Sequence, residues 1–321
     1  MIGKELRIVF MGTPEFAVAS LKSLVENGYN VVGVVTAPDR PSGRGLQMHQ
    51  SDVKKYALSY GLPILQPEKL KDQAFIKELI SLKADIQIIV AFRMLPEVVW
   101  TMPPMGTFNL HGSLLPLYRG AAPLNWAIIN GDQETGVTTF LLKQEIDTGN
   151  ILFQEKIKIG PEDTLGEIHD KLMSIGADLV LRTTDALATG NVNPISQTLL
   201  PLDSQRLHAP KIFKEHCKID WNKPAESINN LIRGLSPYPA AWTNFYLNGT
   251  ETAVKIFKAS AERIAHCHQP GEIYSDNKKY LKIACQDGFL YIADLQLAGK
   301  KRLEIAPFLR GFPNAGNYMA R

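Results

Sequence analysis

DIQIIVAFRMLPEVVWTMPPMGTFNLHG, residues 85–112, holds two short runs that read as strands, DIQIIVAF (Asp85–Phe92) and GTFNLHG (Gly106–Gly112). The first is apolar almost throughout and shows no polar alternation. That composition marks a strand buried on both faces, as in a parallel sheet covered by helices. Working upstream, LRIVFMG (Leu6–Gly12) and VVGVVT (Val31–Thr36) repeat the pattern, and PILQ reads as a further short strand. Between them lie helical segments: Glu15–Gly28, with Thr13 as the expected cap and Pro14 at the first helical position, then Ser51–Tyr60 and Glu68–Leu82. Downstream come the helix APLNWAIING, the strands TGVTTFLL and NILFQEKIKI, and a long helix over Thr164–Thr189. The two strands flank EIDTG with no room for a crossover helix, so they are expected to pair antiparallel at the end of the sheet. Strands alternating with helices predict an α/β fold, a doubly wound, mostly parallel Rossmann-like sheet.

The pattern changes after Ile219. WTNFYLNGTETAVKIFKAS alternates around Asn248-Gly249, and YLKIACQDGFLYIADLQL repeats the arrangement around Asp287-Gly288. Asn-Gly between alternating strands is a strong hairpin signal. Several short strands in this length predict a small C-terminal OB-like β-barrel. The expected division is 1–192 for the α/β domain, 193–210 for a Pro-rich polar linker and 211–321 for the barrel.

With 321 residues and 45% hydrophobic composition, the chain is long enough for two cores. No apolar run approaches a membrane span, and no signal peptide precedes the first strand, so a cytoplasmic protein without a membrane partner is expected. Cys217, Cys267 and Cys285 have neither disulfide parity nor metal-ligand spacing. The net charge of +3 is unevenly spread: residues 201–321 carry 17 Lys+Arg against 11 Asp+Glu, a net of +6, which leaves −3 on the rest. A basic C-terminal part on a mildly acidic body suggests a polyanionic partner; ordinary surface solubility is the alternative.

Motifs for common cofactors are missing. The turn after the first strand is Gly12-Thr13-Pro14-Glu15, not G-x-G-x-x-G, and there is no P-loop and no metal-spaced cluster. The chemistry-bearing pattern is NLHGSLLP, Asn109–Pro116. Residues two apart in a strand face the same way, so Asn109 and His111 project together from the carboxyl end of one strand, where open parallel sheets bind ligands. Asp147, in EIDTG, brings a carboxylate into a turn able to face the same cleft. An amide, an imidazole and a carboxylate suit acyl transfer from an amide-like donor to an amine. The imidazole moves the proton, the amide steadies the oxyanion and the carboxylate orients the ring. Read one by one, the same residues admit plainer roles: a structural Asn-x-His, and an Asp that hydrogen-bonds its own turn. His169 reads as structural, the other histidines as surface residues, Cys285 as core, and Trp126, Trp221 and Trp242 as packing residues.

HGSLLPLYRGAAPLNWAIINGD, followed by TGVTTF and EIDTG, resembles the folate-dependent formyltransferase superfamily. The resemblance implies a catalytic triple of Asn109, His111 and Asp147. It implies a folate-binding stretch Ser113, Leu114, Leu115 and Pro116, supplemented by Met94 and Leu95 in AFRMLP. It also implies 10-formyltetrahydrofolate as formyl donor, with no metal. MGTPEFA (Met11–Ala17), TAPDRPSGRG (Thr36–Gly45), KIDW (Lys218–Trp221) and SPYPAAWT (Ser236–Thr243) are similar to the branch of that superfamily that acts on methionyl-tRNA. This implies initiator methionyl-tRNA as acceptor and Arg40 and Arg44 as tRNA-binding residues, in a protein working as a monomer. The segment after GRG is less basic than is usual in that branch: Leu46-Gln47-Met48-His49, then Ser51-Asp52-Val53-Lys54. Two other readings stay open from the residues themselves. One is the same donor with a nucleotide-sugar or other small amine as acceptor; the other is a non-catalytic RNA-binding relative.

Overall fold

The computed structural model describes residues 3–42, 47–200 and 208–321. The chain divides into two compact units. Unit 1 comprises 1–120, 136–157 and 169–208; unit 2 comprises 121–135, 158–168 and 209–321.

Unit 1 is built on a sheet of seven strands: β1 (Ile8–Gly12), β2 (Val31–Val35), β3 (Ile64–Leu65), β4 (Ile86–Val90), β5 (Thr107–His111), β6 (Glu134–Leu141) and β7 (Ile151–Lys158). Their order is β7-β6-β5-β4-β1-β2-β3. β1 pairs in parallel with β2 and β4, β2 with β3, and β4 with β5. The order reverses at β1, the switch point at which doubly wound sheets open a crevice beyond their strand ends. Every residue of β1 and β4 is buried, Gln87 of β4 included, as expected of strands covered on both faces. The reversal of direction begins one strand earlier than the β6/β7 pair. β6 already runs antiparallel to β5, with Asn109 opposite Phe140 and His111 opposite Thr138. β7 then folds back beside β6, where the Leu141 N–H donates to the Asn150 carbonyl at 3.0 Å.

Helix starts follow local capping chemistry. The first helix covers Glu15–Glu26 with Pro14 at the N-cap, extended at ψ 175° and without a side-chain cap bond, so Thr13 does not cap it. Ser51 does cap Asp52–Ser59 by accepting the Lys54 N–H at 3.1 Å. The third helix begins at Gln73 rather than at residue 68, because Asp72 accepts the Ala74 N–H at 2.8 Å and fixes the start there. The long helix is Leu165–Thr189, and Thr164 and Glu167 close a capping box at its head. Gly176 on this helix lies against β5: a Cβ there would stand 2.8 Å from Leu110 Cδ2. That close approach fixes one face of the β5 strand against the helix and leaves Asn109 and His111 on the other.

Unit 2 contains β8 (Ala241–Leu247), β9 (Thr250–Arg263), β10 (Ile273–Ser275), β11 (Leu281–Ala284), β12 (Gly288–Leu297) and β13 (Met319–Ala320), in the order β10-β11-β12-β9-β8-β13. A bridge from Glu272 to Met319 joins the two ends, so the antiparallel sheet is nearly closed and barrel-like. β8 and β9 meet at Asn248 (φ 49°) and Gly249 (φ 85°), both left-handed, the signature of a tight hairpin that twists with its strands. The interior holds Phe245, Ile256, Ile283, Leu290, Leu295 and Phe308, with Ile228, Ile232 and Leu235 of the helix Ala225–Leu235 packed among them. Trp221 belongs to this core and donates its indole N–H to Thr243 Oγ1 at 3.0 Å. Cys285 is fully buried, and that burial pushes its thiol up to about 12.

Gly288 opens β12 directly against the β9 backbone, and a side chain there would collide with the Glu262 carbonyl. Gly288→Ala is therefore expected to lower the unfolding free energy by about 1–3 kcal/mol, the range for overpacking a tight site. A denaturant titration followed by intrinsic fluorescence would show this as a shifted midpoint.

Candidate active site

β5 ends in the pair the sequence singled out. Asn109 and His111 lie on the same face, and the amide oxygen of Asn109 is buried with no hydrogen-bond partner. The His111 ring is 6% exposed and meets Phe140 edge-on at 6.4 Å between centroids. Its Nε2 stands 2.9 Å from the Tyr118 carbonyl oxygen. A carbonyl can only accept, so Nε2 carries the hydrogen and donates it. In the neutral ring the lone pair is then on Nδ1. Nδ1 faces Asp147 Oδ2 at 3.7 Å, beyond hydrogen-bond length.

Asp147 sits in the turn between β6 and β7 with a left-handed backbone, φ 55°. Its Oδ2 accepts the Gly120 N–H at 2.9 Å, so the side chain is tied to backbone 27 residues away rather than to its own turn. Gly149, two residues on, is pressed against the β6 backbone, where a Cβ would strike the Leu141 carbonyl. The turn cannot relax outward on that side.

The segment after His111 is held from beneath by one hydroxyl. Thr138 Oγ1 donates to the Ser113 carbonyl at 2.6 Å and accepts the Leu115 N–H at 3.1 Å. Gln154 Nε2 donates to the same hydroxyl at 2.9 Å and to the Leu115 carbonyl at 2.8 Å. The Ser113 hydroxyl donates to the Leu117 carbonyl at 2.6 Å. Ser113, Leu115 and Pro116 are thus buried, and Leu114 is half-buried. Leu115 packs with Phe140 and Ile151 in a small apolar cluster that Leu200 joins. Met94 and Leu95 part company: Met94 is 72% exposed, while Leu95 is buried in the cluster of Val9, Met11, Val35 and Val99. Neighbouring Ala91 has a left-handed backbone, φ 47°, and Arg93 donates to the carbonyls of Pro67 and Glu68.

Arg40 lies on a two-strand ribbon, Arg40–Ser42 against Gln47–His49, exposed and 3.9 Å from Glu68 Oε2. Arg44 lies outside the described residues. The base of the ribbon is tied down: Lys54 Nζ donates to Asp39 Oδ2 at 2.6 Å and Gln66 Nε2 to Asp39 Oδ1 at 2.9 Å. The Lys54 and Gln66 hydrogen bonds hold the Asp39 carboxyl below its ordinary range. The His169 ring lies tilted against Phe16, with centroids 5.2 Å apart.

Two residues beside Asp147 were not anticipated. Arg119 lies inside the LYRGAAP run and was visible there only as part of the match. Gln197 lies 50 positions beyond Asp147 and carries no sequence signal at all; its side chain donates to the Asp147 and Gly149 carbonyls. Among the described residues no group of three or more His, Cys, Asp or Glu side chains is arranged to hold a metal ion. No described helix is long and apolar enough to cross a membrane.

A doubly wound sheet carries Asn109 and His111 at one strand end, with the Asp147 carboxylate 3.7 Å from the His111 ring, an arrangement that suits a group-transfer enzyme. The chain belongs to the formyl transferase family: the formyl transferase model matches residues 6–184, and the model of the formyl transferase C-terminal domain matches residues 211–313. It is 56% identical over 318 residues to a protein of Parabacteroides distasonis named methionyl-tRNA formyltransferase, with 98% of each chain covered. A protein of the same name from Phocaeicola vulgatus is 58% identical over 317 residues, again with 98% of each covered. Among solved structures, an N-formyltransferase of Helicobacter canadensis bound to folinic acid and dTDP-3-aminofucose shares the fold. Its TM-score is 0.67 at 21% identity, over 93% of this chain and 100% of that one.

The Thr138 hydroxyl bonds three groups at once, and Thr138→Val would leave the Leu115 N–H and the Ser113 carbonyl buried without it. A loss of about 1–3 kcal/mol is expected, the desolvation cost of orphaned polar groups. Faster hydrogen exchange over 113–117 is expected beside it, read by mass spectrometry on the folded protein.

Proposed function

We propose that this protein transfers the formyl group of 10-formyltetrahydrofolate to the amino group of initiator methionyl-tRNA, making formylmethionyl-tRNA for translation initiation. The observation that carries the chemistry is the environment of His111. A buried imidazole has one nitrogen committed to the Tyr118 carbonyl, and the other is left free opposite Asp147. Nδ1 is therefore the ring atom that takes and returns the proton. As the amine forms its bond to the formyl carbon, the bond from that carbon to N10 of the folate breaks. One amine proton passes by way of Nδ1 to the departing nitrogen. The Asn109 amide, uncommitted at its buried oxygen, is available to turn its N–H toward the oxyanion. Asp147, facing Nδ1, is assigned the orienting of the ring. No covalent intermediate with the enzyme is required.

The donor is assigned to the stretch Ser113–Pro116, together with Met94 and Leu95. Ser113 and Leu115 are closed inside, with their carbonyls tied to Thr138 and Gln154, and Leu114 is the less enclosed side chain of the stretch. The acceptor is assigned from the full-length likeness to proteins named methionyl-tRNA formyltransferase and from the excess of positive charge over residues 201–321. Arg40 and Arg44 are assigned to the tRNA, and the chain is read as a cytoplasmic monomer that needs no metal.

The test is transfer of labelled formyl from 10-formyltetrahydrofolate to charged initiator tRNA. His111→Ala and Asp147→Asn should each cut kcat by about 100-fold or more while tRNA affinity is kept. Absence of transfer to the tRNA, with transfer to an amino-sugar nucleotide instead, would overturn the acceptor. In the same assay Arg44→Ala should raise KM for tRNA and flatten its dependence on salt, as loss of one phosphate contact does.

A further inference from the structure

The Asp147 turn is gripped by two residues that have no part in the chemistry above. Gln197 is 1% exposed. Its Nε2 donates to the Asp147 carbonyl at 2.9 Å and to the Gly149 carbonyl at 2.8 Å, so its two amide hydrogens straddle Thr148. Its Oε1 accepts both Nε and Nη2 of Arg119, at 3.0 and 2.6 Å. The next residue along, Gly120, donates its backbone N–H to the Asp147 carboxylate itself. Arg119-Gly120 thus reaches Asp147 twice, once directly at the side chain and once through Gln197 at the backbone.

We propose that Gln197 and Arg119 form a positioning clamp that sets where the Asp147 carboxylate stands relative to His111. The proposal rests on the catalytic role assigned to Asp147. A left-handed backbone at a residue other than glycine persists only where the surroundings over-determine it. Freed from its partners, an Asp in a turn prefers to hydrogen-bond its own backbone. The Gly120 bond alone fixes one carboxylate oxygen but leaves the turn free to pivot about it. Two further bonds to the carbonyls on either side of Thr148 remove that freedom. The 3.7 Å gap between Oδ2 and Nδ1 makes the position matter, since no direct hydrogen bond holds the two groups at a set distance.

The chemistry of the clamp calls for a carboxamide. Two N–H groups must meet two carbonyls while one oxygen meets a guanidinium fork, and a glutamine side chain provides both ends. Glutamate would turn lone pairs toward the two carbonyls. Gln197 is itself well anchored. Ile195, two residues before it, exchanges backbone hydrogen bonds with Ile151 at the start of β7, each 2.8 Å, and Leu200 packs on Leu115, Phe140 and Ile151. Arg119 is partly buried, which holds its guanidinium below its ordinary value against the pull of Asp147 and Glu145. The residues just after the long helix, which resemble the start of a connector, are on this account part of the catalytic framework.

The test is steady-state formyl transfer by the full-length protein with Gln197→Glu, Gln197→Leu and Arg119→Lys, alongside Asp147→Asn and the double variant Gln197→Leu/Asp147→Asn. kcat should fall at least about tenfold, toward the roughly 100-fold that a small misplacement of a reacting group produces. KM for donor and tRNA should stay within about twofold. The double variant should lose no more than Asp147→Asn does alone, a non-additivity that general loss of stability would not give. Gln197→Glu, nearly isosteric, covers the case in which the leucine variant folds poorly. Full kcat in folded Gln197→Glu and Arg119→Lys, or losses that add in the double variant, would overturn the clamp. An Asp147→Asn protein as active as the unaltered chain would instead remove the catalytic assignment, and the clamp with it.

Discussion

One hydrogen bond fixes how the whole candidate site can work: His111 Nε2–H to the Tyr118 carbonyl. A backbone carbonyl cannot donate, so it selects one tautomer and one ring orientation without adding a charge. A side-chain partner could rotate away or titrate. The carbonyl depends only on the path of the chain through residues 112–118, and that path is set by the Thr138 and Gln154 contacts beneath it. The polar network under the SLLP segment and the aim of the imidazole are therefore one constraint. Its sheet partner, Thr138, is the residue directly opposite His111 in register, so strand pairing supplies the network's position as well as the ring's.

The two halves of the proposed catalytic pair are held by different means. His111 stands at the end of a strand paired to β6 as far as His111 and to β4 as far as Leu110, with the long helix close against Leu110 at Gly176. Asp147 stands in a turn, which lacks such ladders. It needs explicit partners, and it has them on three sides: Gly120, Gln197 and the wall of β6 against Gly149. A carboxylate on a strand would have been steadier but could not have reached over the strand ends. The turn gives reach, and the added hydrogen bonds restore precision.

What could be read from the chain divides along the same line. The parallel sheet was legible because β1 and β4 are apolar without alternation, and Asn109 with His111 because the i, i+2 spacing places them on one face. The hairpin at Asn248-Gly249 was legible because two left-handed residues in sequence leave few other choices. Asp147 was visible as a turn carboxylate, but what its side chain binds was not: its partner is a backbone N–H 27 residues earlier, and any residue but proline can supply one. Gln197 was invisible for the same reason. A glutamine that bonds main-chain carbonyls 48 and 50 positions away leaves no periodicity or motif behind it. The reversed direction of β6 against β5 escaped because an eight-residue strand buried nearly throughout reads alike in either direction.

The Thr13 cap failed for an instructive reason. A proline after a Thr can sit either at the first helical position or at the cap itself, and both satisfy the missing N–H. Here Pro14 takes the extended backbone of a cap, so the turn from Gly12 to Glu15 is set by backbone geometry and not by a side-chain bond. That leaves the Thr13 carbonyl free to accept the Val53 N–H at 3.4 Å, tying the end of β1 to the helix that Ser51 caps. Ser51 in turn shares a hydrogen bond with Thr36 at the end of β2, so the strand ends at the sheet's switch point are joined to each other through the helix starts. The base of the Arg40 ribbon, with Asp39 held by Lys54 and Gln66, rises from this same knot. A mutation at Lys54 or Ser51 would thus act on the base of the ribbon and on the sheet's mouth together.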